Sequence, residues 1–157
     1  MKKIVNLRIC KATREDVYRV AEVSSGAAKE GMVKEFSPEE LMEIFSSEKY
    51  YVAVAGLDKE VVGYAMSAYS WGKLHILDIA VDRSRRRMGI GKMLIKHLIS
   101  HALEKGLPEV YCEVGAKNIP ALNLFTSLGF RFKIFSTLVA GGFYGLYLPI
   151  RKSRSAP

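Results

Sequence analysis

A chain of 157 residues with 49% apolar and 25% charged side chains has the length and mix of one soluble globular domain around a single core, which excludes a disordered chain. Five prolines and thirteen glycines exclude collagen-like and proline-rich sequences, and no apolar run approaches the roughly 18 residues that a bilayer-spanning helix needs. The net charge of +8 is uneven: residues 1–60 carry −1 and residues 61–157 carry +9. Either the second part meets an anion (phosphate, nucleotide or nucleic acid) or the charge serves solubility alone.

Met1 to Ile9 has no long apolar stretch and no small-residue cleavage site, so no signal peptide is expected. Cys10 and Cys112 cannot build a multi-disulfide scaffold, and a cytoplasmic, reducing setting is the default expectation. With no internal repeat or low-complexity linker, residues 1–150 read as one domain and the basic tail 151–157 as a frayed end.

The elements follow in chain order. Residues 4–11 read as a strand. Thr13 and Asp16 make a capping-box-like start to a helix that runs to about Lys29. Ser37-Pro38-Glu39-Glu40 opens a second helix, with Ser as N-cap and Pro in the first turn, ending near Ser47. Tyr50–Ala55 and Val61–Tyr69 are β-rich on either side of a turn over Gly56 to Glu60, a hairpin pattern. A third run, Leu74–Val81, follows the break at Ser70 to Lys73. Ile90, Met93, Leu94, His97, Leu98 and Ala102 keep helical spacing as far as Gly106-Leu107-Pro108. Glu109–Val114 is a short strand, and Asn118 caps a helix over Ala121–Leu128 that Gly129 closes. Two last strands, about 130–138 and 143–149, meet at Ala140-Gly141-Gly142. Strand, helix, strand over 74–114 is a right-handed crossover, so those two strands should be parallel within a mixed α/β (α+β) sheet with helices on both faces.

The turn between the third run and the following helix, Arg86-Arg87-Met88-Gly89-Ile90-Gly91, carries the clearest chemistry. Two residues without Cβ let backbone N–H groups approach a ligand where the helix dipole is positive, which suits a pyrophosphate. Arg83, Arg85, Arg86, Arg87 and Lys92 add charge. A dinucleotide fingerprint needs a third glycine where Leu94 stands, and a P-loop needs Ser or Thr where Met93 follows Lys92, so both patterns fail. A glycine-softened turn with solvated arginines is the other reading.

Arg86-x-x-Gly89-x-Gly91, preceded by Leu77-Asp-Ile-Ala-Val-Asp82, resembles the acetyl-coenzyme A signature of the GNAT superfamily of N-acetyltransferases. Glu113-Val-x-x-x-Asn118-x-x-Ala121-x-x-Leu124-Phe125-x-x-x-Gly129-Phe130 resembles that superfamily's next motif, particularly as found in N-terminal acetyltransferases acting on ribosomal proteins. The resemblance implies a GNAT fold: a mixed sheet of six to seven strands in which the strands at 74–81 and 109–114 splay into a V. It implies that acetyl-coenzyme A is the acyl donor, with no metal. Its pantetheine would lie along Ile79, Ala80 and Val81 and its pyrophosphate on Arg87, Met88, Gly89, Ile90, Gly91 and Lys92, beside Arg86. Asn118 would hold the thiol-side arm and Phe125 would touch the cofactor.

An amine attacking a thioester must lose a proton, because an α-amine of pKa about 8, or a lysine near 10.4, is mostly protonated at neutral pH. Glu113 matches the family's glutamate. It is expected to be the base, semi-buried at its strand end, raised in pKa and acting through a water. An N–H near Ala80 is expected to stabilise the oxyanion. Many relatives carry a tyrosine at Phe125 to protonate the leaving thiolate; Phe125 has no proton to give, and Tyr111, Tyr144 or Tyr147 are the other hydroxyls. His97 and His101 share a helix face but lack the third ligand of a zinc site, His75 reads as a rim residue, and Cys112 as a small core residue.

The acceptor amine is the open question. The connection from Glu30 to Ser37, with Gly31, Met32, Val33 and Phe36, is expected to form one wall of its site. Glu30, Glu35, Glu39, Glu40 and Glu43 make either an acidic rim that attracts a cationic amine or an ordinary solvated face. A protein N-terminus, a lysine, a polyamine and other small amines stay open, and the short Ala140-Gly141-Gly142 connection leaves the groove open. A homodimer through the edge after Ala121–Leu128 or through the last strand is a further expectation. Two other classes remain: a basic nucleic-acid-binding regulatory module, disfavoured because no recognition-helix motif accompanies the arginines, and a catalytically degenerate acetyl-coenzyme A sensor.

Overall fold

In the computed structural model, which describes residues 6–31, 34–133 and 142–150, seven strands form one mixed sheet in the order β1-β2-β3-β4-β5-β7-β6. The strands are β1 (Leu7–Lys11), β2 (Tyr50–Leu57), β3 (Glu60–Ser70), β4 (Lys73–Val81), β5 (Glu109–Gly115), β6 (Arg131–Phe132) and β7 (Phe143–Pro149). The helices are α1 (Val17–Lys29), α2 (Pro38–Ser46), α3 (Ile90–Glu104) and α4 (Ile119–Ser127). Every neighbouring pair of strands is antiparallel except β4 and β5, which are parallel around the α3 crossover, as expected for a right-handed unit. The expected strand residues 4 and 5, the strand segment 134–138, the connection 140–141, the wall residues 32 and 33 and the tail 151–157 lie outside the described residues.

Local chemistry sets the helix starts. Thr13 N–H donates to Asp16 Oδ2 at 2.7 Å, in a capping box over a single 3₁₀ turn that leads into α1. Ser37 Oγ accepts from Glu40 N at 3.1 Å and starts α2, and Asn118 Oδ1 accepts from Ala121 N at 3.2 Å and starts α4.

One expectation needs correction. The β2–β3 hairpin turns at Asp58 and Lys59, which take φ of 49° and 69°, and Gly56 stays in the strand opposite Arg8, beside a register shift against β3. Positive φ at both central residues is the twist-matched hairpin turn, and an Asp-Lys pair adopts it here without glycine. β7 runs between β5 and β6, and among the described residues it pairs with β6 at Arg131–Tyr147 and Phe132–Leu146.

Alternation along the strands divides the interior in two. Val52 and Val54 face α1 and α2 with Val17, Val20, Val23, Leu41, Tyr64 and Met66. Ala53, Ala55, Leu74, Ile76, Val110 and Cys112 face α3 and α4 with Leu94, Ile95, Leu98, Leu122 and Phe125. Leu98 is fully buried on α3. Leu98→Ala should therefore cost about 2–5 kcal/mol, read as a lower urea midpoint with an unchanged slope.

Ion pairs fasten α1 across the end of β4. Arg19 donates to Val61 O at 2.8 Å and pairs with Glu60 at 3.1 Å and with Asp82 at 2.8 Å. Arg86 donates to Val81 O at 3.1 Å and pairs with Glu30 just beyond α1. The acceptor-side helix and the glycine turn thus share one guanidinium.

Candidate functional site

The site begins where the sheet parts. β4 and β5 pair only at Leu74–Val110, His75–Tyr111 and Ile76–Cys112. Against β3, β4 carries one extra residue: Ser67 faces Ile76 and Met66 faces Asp78, so Leu77 is a bulge. A bulge bends its strand and increases its twist, and from here β4 follows β3 away from β5. Asp82 N donates to Val62 O at 2.7 Å. By the alternation of an antiparallel ladder, the peptide groups of Ile79 and Val81 then face the gap, while Ala80, opposite Tyr64, faces β3. Of the three expected pantetheine contacts, Ile79 and Val81 present backbone to the gap; Ala80 buries its side chain under α1 and α2.

The gap is a cavity of about 140 Å³ lined by Asp78, Ile79, Cys112, Glu113, Asn118 and Phe125, among others. At its far end the turn 86–91 has Arg87 at φ 63° and Gly89 at φ 78°. Gly89 caps α3 without any side-chain acceptor, and the first helical bond runs from Met93 N to Gly89 O. The N–H groups of Ile90, Gly91 and Lys92 therefore lack an intrahelical partner. A Cβ on Gly89 would stand in open space, and one on Gly91 would make only ordinary contact with Leu124 at 3.8 Å. Among the described residues no atom lies within 4 Å of a Cβ built on Gly89, so the turn fits a diphosphate approaching the bare backbone. Arg87, Met88 and Lys92 are exposed around it, whereas the Ile90 side chain is buried and leaves only its N–H to offer. Arg86 is held by Val81 and Glu30 and pins the turn.

On the α1–α2 side the gap meets a wider cavity of about 490 Å³, bordered by Gly31, Lys34, Phe36, Asp78, Glu113 and Phe143. Ser24, fully buried on α1, builds the described part of that wall: its Oγ accepts from Phe36 N at 3.0 Å and donates to Lys34 O at 3.2 Å. Of the expected acidic rim, Glu30 pairs with Arg86 and Glu40 with Lys34 at 3.5 Å; Glu35, Glu39 and Glu43 are exposed.

The two carboxyls of the site differ in setting. Glu113 lines the gap and the wider cavity and is exposed, not semi-buried as expected; it accepts from Tyr111 Oη at 3.2 Å. Its place on the outward-pointing face of the last splayed residues of β5 leaves it in solvent. Asp78 is the half-buried carboxyl that the sequence reading did not single out. It accepts from Tyr64 Oη at 2.7 Å, and Tyr64 is fully buried. Desolvation pushes the Asp78 carboxyl up to about 6, only partly offset by the Tyr64 hydroxyl and the Ile79 N–H. The Tyr64 phenol is itself pushed far above its ordinary value, by burial and then by Asp78, so it stays protonated and donates to Asp78. The signal for Asp78 was a lone acid inside the apolar run Leu74–Val81.

His75 is half-buried beside Tyr111, with ring centroids 5.0 Å apart. Burial lowers its pKa more than nearby Glu113 raises it, which favours neutral imidazole. Phe125 lies in the wall of the gap, edge-on to Phe130 at 5.0 Å, and supplies an apolar surface. His97 and His101 are engaged elsewhere: Tyr51 Oη lies 2.9 Å from His97 Nε2, and the Tyr51 ring stacks on His101 at 3.5 Å.

Cys112 is buried, and burial followed by Glu113 pushes its thiol up to about 12. A thiol held that high is a poor nucleophile near neutral pH. Cys112→Ala should keep acetyl transfer within about threefold of wild type, and intact mass after mixing with donor alone should show no acetyl adduct on either protein; loss of turnover with an adduct on wild type would establish a covalent route.

The sequence matches the Acetyltransferase (GNAT) family over residues 15–130. It is 34% identical over 143 residues to an N-alpha-acetyltransferase of Sulfurisphaera tokodaii, covering 83% of each chain. Over 84 residues it is 32% identical to the ribosomal protein bS18-alanine N-acetyltransferase of Salmonella typhimurium, covering 54% of this chain and 57% of that one. The fold matches the PaiA N-acetyltransferase of Thermoplasma acidophilum, solved in complex with coenzyme A, with a TM-score of 0.82 at 18% identity over 93% of this chain and 100% of that chain.

Proposed function

The chain belongs to the GNAT family of acetyl-coenzyme A-dependent N-acetyltransferases, and we propose that the amine it acetylates is the α-amine of a protein N-terminus. The observation that carries this reading is Asp78, a carboxyl raised to about 6 where the donor gap meets the open α1–α2 cavity. A base of that strength is separated by about 2 pKa units from an α-amine near 8, but by about 4 from a lysine near 10.4. The relatives named as N-alpha- and ribosomal-protein alanine acetyltransferases support the same acceptor class.

When bound, acetyl-coenzyme A supplies an activated thioester carbonyl. Every other task falls to the chain. The bare N–H groups after Gly89 hold the diphosphate. The gap-facing peptide groups of Ile79 and Val81 align the donor arm, Asn118 and Phe125 close the opposite wall, and the Ile79 N–H, shared with Asp78, is placed for charge on the carbonyl oxygen. Glu113, exposed at the mouth, attracts the ammonium form of the acceptor. Asp78 accepts its proton from the amine, and Glu113 returns that proton to solvent through water. The chain thus acts as a positioning template for direct transfer in a ternary complex.

The test is a panel of peptides with free α-amines, each containing one internal lysine, alongside spermidine and free amino acids. Thiol release is followed, and products are mapped by mass spectrometry. Acetylation of the first residue's α-amine is expected. Modification confined to lysine side chains or to spermidine overturns the acceptor assignment.

A further inference from the structure

Beyond the donor gap and the α1–α2 cavity lies a third hollow of about 480 Å³, between the β3–β4 hairpin and β5, lined by Ser70, Trp71, Lys73, His75, Tyr111 and Glu113 together with Lys133. Resting on the reading of a protein N-terminus as acceptor, we infer that this hollow holds the acceptor residues that follow the reactive amine, with Trp71 as their anchor.

Trp71 is 95% exposed. It sits at φ 53° beside Gly72 at φ 71°, in the hairpin turn. A left-handed conformation costs a non-glycine residue about 1–2 kcal/mol, and a solvated indole returns none of it. Tryptophan is the residue type most often found as a binding anchor, because it offers a large rigid face with little rotamer entropy to lose. Fold stability does not account for an indole placed here; a partner surface does.

Continuity with the site selects the partner. Glu113 lines this hollow, the donor gap and the α1–α2 cavity alike. A chain whose amine lies between Asp78 and Glu113 therefore has a way out past His75 and Tyr111 toward Trp71. The lining also fits an extended polypeptide. Trp71, His75 and Tyr111 offer ring faces, Lys73 and Lys133 share Glu109 at 2.9 and 3.1 Å, and Glu113 lies opposite. Charges of both signs suit the alternating carbonyls and N–H groups of a backbone and give no uniformly positive track for a nucleic acid. Asp78 and Lys73 are five positions apart on β4, about 16 Å at the rise of a strand, so an acceptor must be about five residues long to reach the indole.

Trp71 is the chain's one tryptophan, so tryptophan emission, excited at wavelengths tyrosine does not absorb, reads this hollow. With coenzyme A present, a C-terminally amidated six-residue peptide acetylated in the panel above should shift or quench the emission, and the dipeptide amide of the same first two residues should not. Kinetically, KM should fall at least fivefold from the dipeptide to the hexapeptide in wild type. That difference should vanish in Trp71→Ala and survive in part in Trp71→Phe. Equal KM for both lengths in wild type, or the same length dependence in Trp71→Ala, overturns the inference while leaving the α-amine assignment intact. Failure to acetylate either peptide on its α-amine overturns that assignment and the inference with it.

Discussion

Gly89→Glu should abolish acetyl-coenzyme A binding, lowering affinity by at least about a hundredfold in calorimetry. Two effects act together. At φ 78° a side chain on residue 89 is strained before any ligand arrives. The new carboxylate then stands at the N–H groups that open α3, where a diphosphate would bring further negative charge. Gly89→Ala separates the two: its Cβ points into open space, so it keeps the strain without the charge and should lose tenfold or less. Both variants should retain the wild-type circular dichroism spectrum, because residue 89 is exposed and a side chain there meets no described atom within 4 Å. Undiminished affinity in Gly89→Glu would move the donor's diphosphate away from this turn.

Asp78→Asn should lower kcat by about 10²–10⁴, the usual cost of removing a positioned base, with donor affinity unchanged. In wild type kcat should rise with pH through a midpoint near 6, where the Asp78 carboxyl ionises, and the variant should lose that limb. The same substitution should stabilise the protein at pH 8. A carboxyl raised from 3.8 to about 6 binds its proton more tightly in the folded chain than in the unfolded one. Its stabilising contribution is therefore complete below the unfolded value and is lost as pH rises through about 6, leaving the ionised group at a cost of roughly 3 kcal/mol. Asparagine still accepts from Tyr64 Oη and carries no charge, so the unfolding midpoint should rise by several degrees at pH 8 and by little near pH 4. Gain of stability with loss of turnover marks a residue kept for chemistry. Full activity with an intact acidic limb would transfer the proton to Glu113.

Features written in short-range chemistry were legible in the sequence. Ser37 and Asn118 cap the helices they were expected to cap, Gly89 and Gly91 lie at the foot of α3, and the strands around α3 are parallel. Features set by distant pairings were not. The Leu77 bulge exists only as a mismatch between β3 and β4, and nothing near Leu77 announces it. Asp78 draws its raised pKa from desolvation in the folded chain, against which the Tyr64 hydroxyl, fourteen positions away, acts only as a partial offset. Glu113 shares the motif's position but stands in solvent, because beyond Cys112 no β4 partner shields β5. The hairpin turn expected over Gly56 to Glu60 narrows to Asp58 and Lys59, because pairing with β1 and β3 draws Gly56 and Leu57 into β2 and Glu60 into β3.

With only three residue pairs joining β4 to β5, the sheet is two antiparallel leaves meeting along a seam. The backbone ladder cannot fix the angle between the leaves. What sets it is the wedge of side chains beneath the seam: Leu94 and Leu98 on α3, and Leu122 and Phe125 on α4, against Ile76 on one leaf and Val110 and Val114 on the other. Apolar packing is non-directional but dense, so a methylene added to or removed from that wedge tilts one leaf against the other. The width of the gap is thus encoded in the interior, and its preference for a short or a longer acyl chain is open to change by substitutions at Leu94, Leu98, Leu122 or Val110, which do not line it.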